Sequence, residues 1–181
     1  VDATEPSLVD KVLALHESLT VSAVPHAFGG ALSLAYYTRE PRATADVDIN
    51  VTAMPHDARR VLESLPEAVD WTDADIAEIG QDEQTRLWWG RTPVDLFFRA
   101  AEYHDDVADR VQWHAFAGRQ LPFLAALDLA VFKTLFDRPK DWLDIEAMHD
   151  AGAVDVSEVA VVVRSLIGDD PRVHRLVSLD G

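Results

Sequence analysis

The chain has 181 residues, 48% of them hydrophobic, a net charge of −16, a pI near 4.6 and no cysteine. That composition supports one ordinary globular domain with a small helical addition and excludes disulfides and thiolate metal sites. The acidic balance argues against nonspecific nucleic-acid binding, which needs Lys and Arg against phosphates.

In chain order, "PSLVDKVLALHESLT" carries apolar residues at helical spacing and predicts an amphipathic helix over Pro6 to Leu19. "VPHAF" is a short extended piece ending at Gly29 and Gly30, and "ALSLAYY" reads as a helix that starts from those glycines. "TREPRATA" is a loop, and "DVDINV" alternates polar and apolar as a half-buried strand does. "PHDARRVLESL" starts on a proline and buries Ala58, Val61, Leu62 and Leu65 along one helical face. "TRLWWG" and "TPVDLFF" are two strands joined at Gly90-Arg91 as a hairpin, and "RVQWHAFAGRQL" is a further strand and turn.

From Pro122 the pattern turns helical, through "PFLAALDLAVFKTLF", "PKDWLDIEAMHDAG", "SEVAVVVRSLIG" and "DPRVHRLVSL". The predicted division is therefore an α/β (α+β) part over residues 1–121 and a helical lobe over 122–181. No apolar run is long enough for a bilayer and no basic-then-apolar leader is read, so no membrane is expected as a partner. The lack of cysteine suits a reducing, cytoplasmic location.

Alternate side chains of a strand share a face, so Asp46 and Asp48 project together while Val47 and Ile49 point to the core. Two carboxylates this close repel each other and call for a cation between them. Hard oxygen ligands on a pocket wall suit Mg²⁺, which takes its other positions from water and substrate phosphates. A bare Asp-x-Asp is also compatible with an exposed strand edge. The upstream Gly29 and Gly30 let the backbone approach a phosphate, and the helix start beside them offers N–H donors to an anion; an ordinary tight turn is the alternative.

Asp95, within the apolar "TPVDLFF", is a candidate third carboxylate, as metal ligand or as base toward an attacking hydroxyl. Lys133 emerges from an apolar helix among Leu129, Val131, Phe132 and Leu135, in a chain whose only lysines are Lys11, Lys133 and Lys140. Asp141 and Asp144 follow Lys140 in the first turns of the next helix, so a surface ion-pair cluster is the alternative there. Trp88 or Trp89 stacking on a base competes with a core role for both rings. The seven histidines show no metal spacing.

"GGALSLAYYTREPRATADVDINV" resembles the first signature of the polymerase-β-like nucleotidyltransferase superfamily, a glycine pair followed by Asp-x-Asp. "FKTLFDRPKDWLDIEAM" is similar to the Lys and Lys-Asp-x-x-Asp signatures of its AbiEii/AbiGii-type toxins, the group that includes the MenT-like toxins. The resemblance implies a palm-like mixed sheet with flanking helices, followed by a helical C-terminal lobe. It implies that Asp46 and Asp48 hold the metal with Asp95 as a third ligand, and that Gly29, Gly30 and Lys140 line the nucleotide. Lys133 would contact the triphosphate, Asp144 would orient that lysine or the acceptor, and Arg42 would add a phosphate contact.

The implied activity is Mg²⁺-dependent transfer of nucleotides from a nucleoside triphosphate to an RNA acceptor, such as the tRNA 3′ end, by a toxin restrained by a cognate antitoxin. The acidic charge is reconciled with RNA if Arg39, Arg42, Arg59 and Arg60 gather into a basic strip. The alternatives are a nucleotidyltransferase acting on a small molecule such as an antibiotic, or on a protein, and a non-catalytic nucleotide-binding module. Thr44, two residues before Asp46, is a candidate phosphate contact and a phosphorylation site that would silence the enzyme. Its alternative role is to close the loop after Arg42.

Overall fold

The structure is a computed structural model that describes residues 5–38, 43–100 and 102–179. It divides into two compact units, one of residues 1–29 and 43–123, the other of residues 30–42 and 124–181.

The first unit is built on a mixed six-stranded sheet: β1 (His26–Phe28), β2 (Val47–Val51), β3 (Gln84–Trp89), β4 (Thr92–Phe97), β5 (Gln112–Phe116) and β6 (Arg119–Phe123), in the order β3-β4-β2-β1-β6-β5. β2 runs antiparallel to β1 and parallel to β4, with Asp48 opposite Asp95. One face of β2 presents Val47, Ile49 and Val51, all buried, and the other presents Asp48 and Asn50 half-buried. Period-two alternation thus separates a core face from a polar face on one strand.

Helix α1 (Leu8–Val21) begins at a reciprocal cap in which Ser7 Oγ accepts from the Asp10 N–H and the Asp10 carboxylate accepts from the Ser7 N–H. It buries Val12, Leu15 and Leu19. α3 (Ala58–Glu63) follows a single 3-10 turn at Pro55–Asp57 and buries the predicted Ala58, Val61 and Leu62. The predicted hairpin forms, and Gly90 takes a φ of 59°, a left-handed value that suits glycine.

Three features differ from the sequence pattern. Helices α4 (Asp73–Asp82) and α5 (Tyr103–Arg110) form from polar stretches with few apolar residues to set a period. α4 instead announces itself by the Thr72–Asp75 capping box. Pro122 and Phe123 end strand β6 instead of starting a helix, because Phe123 pairs with Phe28 across the sheet at 5.8 Å between ring centroids. A short apolar run suits either element, and the contact decides it.

The second unit is helical: α2 (Gly30–Leu34), α6 (Ala126–Phe136), α7 (Pro139–Asp150), α8 (Val156–Ile167) and α9 (Pro171–Ser178). Trp142, Ile145, Met148, Val159, Val163, Val173 and Leu176 form its core, with the Arg175 guanidinium 4.1 Å over the Trp142 ring. Ser33 Oγ and Tyr37 OH both donate to the Leu124 carbonyl, at 3.0 and 2.8 Å, which ties the α2 segment to the start of α6. Among the described residues no helix is long and apolar enough to cross a membrane.

Candidate functional site

Asp46 lies immediately before β2 and Asp48 lies within it, both half-buried. The strand is anchored at this end by the Gly29 N–H, which donates to the Asp48 carbonyl at 2.9 Å. The glycine turn and the carboxylate strand are therefore joined directly. That bond also engages one of the N–H groups predicted to cradle phosphate, leaving the role to those beyond it. Gly30, with a φ of 51°, then opens α2.

Thr44 Oγ1 accepts from the Asp46 N–H at 3.2 Å and lies 3.4 Å from the Asp46 carbonyl oxygen. The hydroxyl closes the turn that presents Asp46. Arg42, predicted beside it, lies outside the described residues, as does Arg39.

Asp95 sits opposite Asp48 in the β2–β4 ladder, on the same sheet face. Both its oxygens accept from Arg86 on β3, from Nε and Nη2, each at 2.7 Å. The guanidinium pKa is pushed up by the hydrogen bonds to Asp95 and by that carboxylate's charge, with smaller attractions from Asp46 and Asp48. Arg86 is thus the protein's own cation for this carboxylate face. The predicted three-carboxylate metal group is not formed: among the described residues no three His, Cys, Asp or Glu side chains gather closely enough to hold a metal. Asp95 is engaged by Arg86, and Asp46 and Asp48 are the other two carboxylates near that guanidinium. Two carboxylates suit Mg²⁺ when substrate phosphates complete its shell.

Sequence reasoning missed Arg86, although the signal was present. The Gly90-Arg91 loop sets Trp89 opposite Thr92, and counting back along both strands sets Arg86 opposite Asp95.

In the helical unit, Lys133 on α6 is only 6% exposed. Its Nζ donates to Asp144 Oδ2 at 2.6 Å and lies 3.5 Å from Asp141 Oδ1, both on α7. Asp141 also takes the Arg138 guanidinium and caps α7; burial opposes ionisation there, but these hydrogen bonds and the nearby cations hold its pKa below the usual range. The predicted pairing of Lys133 with Asp144 is therefore made, and it is buried. Lys140 lies exposed in the first turn of α7. Trp89 is a core ring with the Lys11 ammonium 5.8 Å from its centroid, and Trp88 is 46% exposed.

Solved structures share this architecture at low identity. The antibiotic-resistance factor ANT(2'')-Ia in complex with adenylyl-2''-tobramycin matches with a TM-score of 0.61 at 11% identity, over 96% of this chain and 98% of that one. A solution structure of ANT(2'')-Ia matches at 0.58 and 15%, over 95% and 94%. The lincomycin-bound lincosamide antibiotic adenylyltransferase LnuA matches at 0.54 and 12%, over 78% and 96%. The fold is that of the nucleotidyltransferases. No protein-family model and no curated protein sequence matches the chain.

Proposed function

We propose that the chain is a Mg²⁺-dependent nucleotidyltransferase that moves a nucleotidyl group from a nucleoside triphosphate to an acceptor hydroxyl. The observation that carries this reading is the carboxylate pair Asp46 and Asp48, anchored to the glycine turn by the Gly29–Asp48 hydrogen bond. Mg²⁺ held by that pair would neutralise charge on the triphosphate and the leaving pyrophosphate. Asp46 and Asp48 would hold the ion that draws in the phosphates, and Thr44 fixes the backbone from which Asp46 projects. The acceptor oxygen bonds to the α-phosphorus and the α–β bridging P–O bond breaks. Pyrophosphate leaves with that electron pair, and the hydroxyl proton passes to the carboxylate face and on to water. Arg86, held by Asp95, lends positive charge to the face on which negative charge accumulates. The Lys133–Asp144 bond supports the reading in which Asp144 orients that lysine.

Two acceptors have specific support. A cationic small molecule suits a chain of net charge −16, and the similar folds include antibiotic adenylyltransferases. An RNA 3′ end, with a toxin role and a cognate antitoxin in the cytoplasm, is supported by the Lys133 to Asp144 motif. Each labelled triphosphate is incubated with the protein, Mg²⁺ and either total tRNA or a panel of aminoglycosides and lincosamides. Label appearing in one acceptor class, and lost in Asp48→Asn, selects that class. Triphosphate binding with no transfer to any acceptor would leave the non-catalytic alternative in place and overturn the proposal.

A further inference from the structure

A cavity of about 450 Å³ opens in the strand unit, at the end of β1 and β2 remote from Asp46. Asn50, which lines it, shares the polar face of β2 with Asp48 and lies four residues, roughly 13 Å of strand, beyond Asp46. The size lies within the range of small-molecule sites, which are mostly apolar with a few placed polar groups. In a chain that is 27% charged, no Asp, Glu, Lys or Arg among the described residues lines this cavity.

Two of its polar side chains, His16 and His26, form an ordered chain with the Val24 carbonyl. His26 Nδ1 lies 2.8 Å from the Val24 carbonyl, so that nitrogen must carry the proton and donate. His26 Nε2 is then an acceptor for the neutral ring, and His16 Nδ1, 3.0 Å away, donates to it. His16 Nε2 is left as the pair's remaining lone pair. Burial lowers the pKa of both rings, that of His26 to about 4, so both are neutral near pH 7. Trp113, 60% exposed, sets its ring 6.2 Å from His16 in an edge-on arrangement and gives the cavity an open aromatic wall.

We propose that this cavity, at the end of the sheet remote from Asp46, is a second binding site for an uncharged, ring-bearing small molecule that donates one hydrogen bond to His16 Nε2. The Trp113 and His16 rings supply the stacking surface, and the uncharged wall disfavours ions, which would lose hydration without a partner. The proposal does not depend on the transfer reaction.

The probe is N-phenyl-1-naphthylamine, an uncharged aryl amine with one N–H, compared with the anionic 8-anilinonaphthalene-1-sulfonate. Saturable binding of one neutral probe per chain is expected, with the anion about tenfold weaker or more. In two-dimensional NMR the indole N–H of Trp113, identified by its loss in Trp113→Phe, should shift, while those of Trp71, Trp88, Trp89 and Trp142 stay. Thr20→Trp and Ala108→Trp, which fill the cavity from its wall, should abolish binding with an unchanged urea midpoint. No saturable binding, equal affinity for both probes, or an unmoved Trp113 signal in the wild type would overturn the proposal; the last reading needs no cavity-filling variant to fold.

Discussion

Arg86 on β3 meets Asp95 on β4 fork to fork, both carboxylate oxygens accepting at 2.7 Å from adjacent positions of the hairpin. Asp46 and Asp48 add to the attraction on the same guanidinium, so one cation serves a face of three acids. Arg86→Leu should cost about 1 kcal/mol, since the arginine is half exposed and partly screened. Millimolar Mg²⁺ should then restore more stability in the variant than in the wild type. Paired urea melts with and without Mg²⁺ check this, and equal responses would contradict the charge account.

Asp46→Asn and Asp48→Asn should each remove transfer while leaving the fold intact. Without metal both variants should be as stable as the wild type or slightly more so, because one of two neighbouring like charges is gone. The measurement is thermal melting alongside turnover. A variant with near-normal Mg²⁺-dependent turnover would displace the pair from the metal role.

Lys133→Met should be destabilising by about 3–5 kcal/mol, because it leaves the buried Asp144 and Asp141 carboxylates without their ammonium. Lost activity in this variant alone therefore says little about contact with a triphosphate. Lys133→Met combined with Asp144→Leu should recover part of the stability. A rescue of stability without rescue of nucleotide binding would assign the lysine to the nucleotide.

His26 should make the protein less stable in mild acid. Burial holds its pKa near 4 against an ordinary 6.5, so between those values the unfolded chain binds more protons than the folded one. Stability is then fully present above about pH 6.5 and declines as the pH falls toward 4. The loss should be on the order of 2 kcal/mol, allowing for the partly exposed ring. The groups around it are His16 on α1, the Val24 carbonyl and His104 of α5, with Arg119 and Glu17 acting on His16. His26→Gln should flatten the decline in urea midpoints across this window.

The strand bearing Asp48, the hairpin at Gly90 and the helices after Arg138 were legible because each has a strong local pattern: alternation, a turn glycine, a proline start. α5 was not, since "YHDDVADR" buries only Val107 and is fixed by its neighbours. Arg86 was missed, because it is distant in sequence from Asp46 and Asp48 and meets the acids only through strand pairing. Lys133 was expected to emerge from its apolar helix, whereas it is buried, because α7 folds back to present Asp141 and Asp144 to its ammonium.

The two units are not consecutive stretches of chain. Residues 30–42 belong with the helices, inserted between β1 and β2 of the sheet unit. No single cut can therefore release either unit whole. A fragment begun at Leu124 would lack α2, and the Leu124 carbonyl would lose the hydroxyls of Ser33 and Tyr37. Excising residues 30–42 would instead remove the connection that carries Gly29 on toward Asp46. Splitting this protein for separate expression thus calls for a circular permutant or two co-expressed pieces.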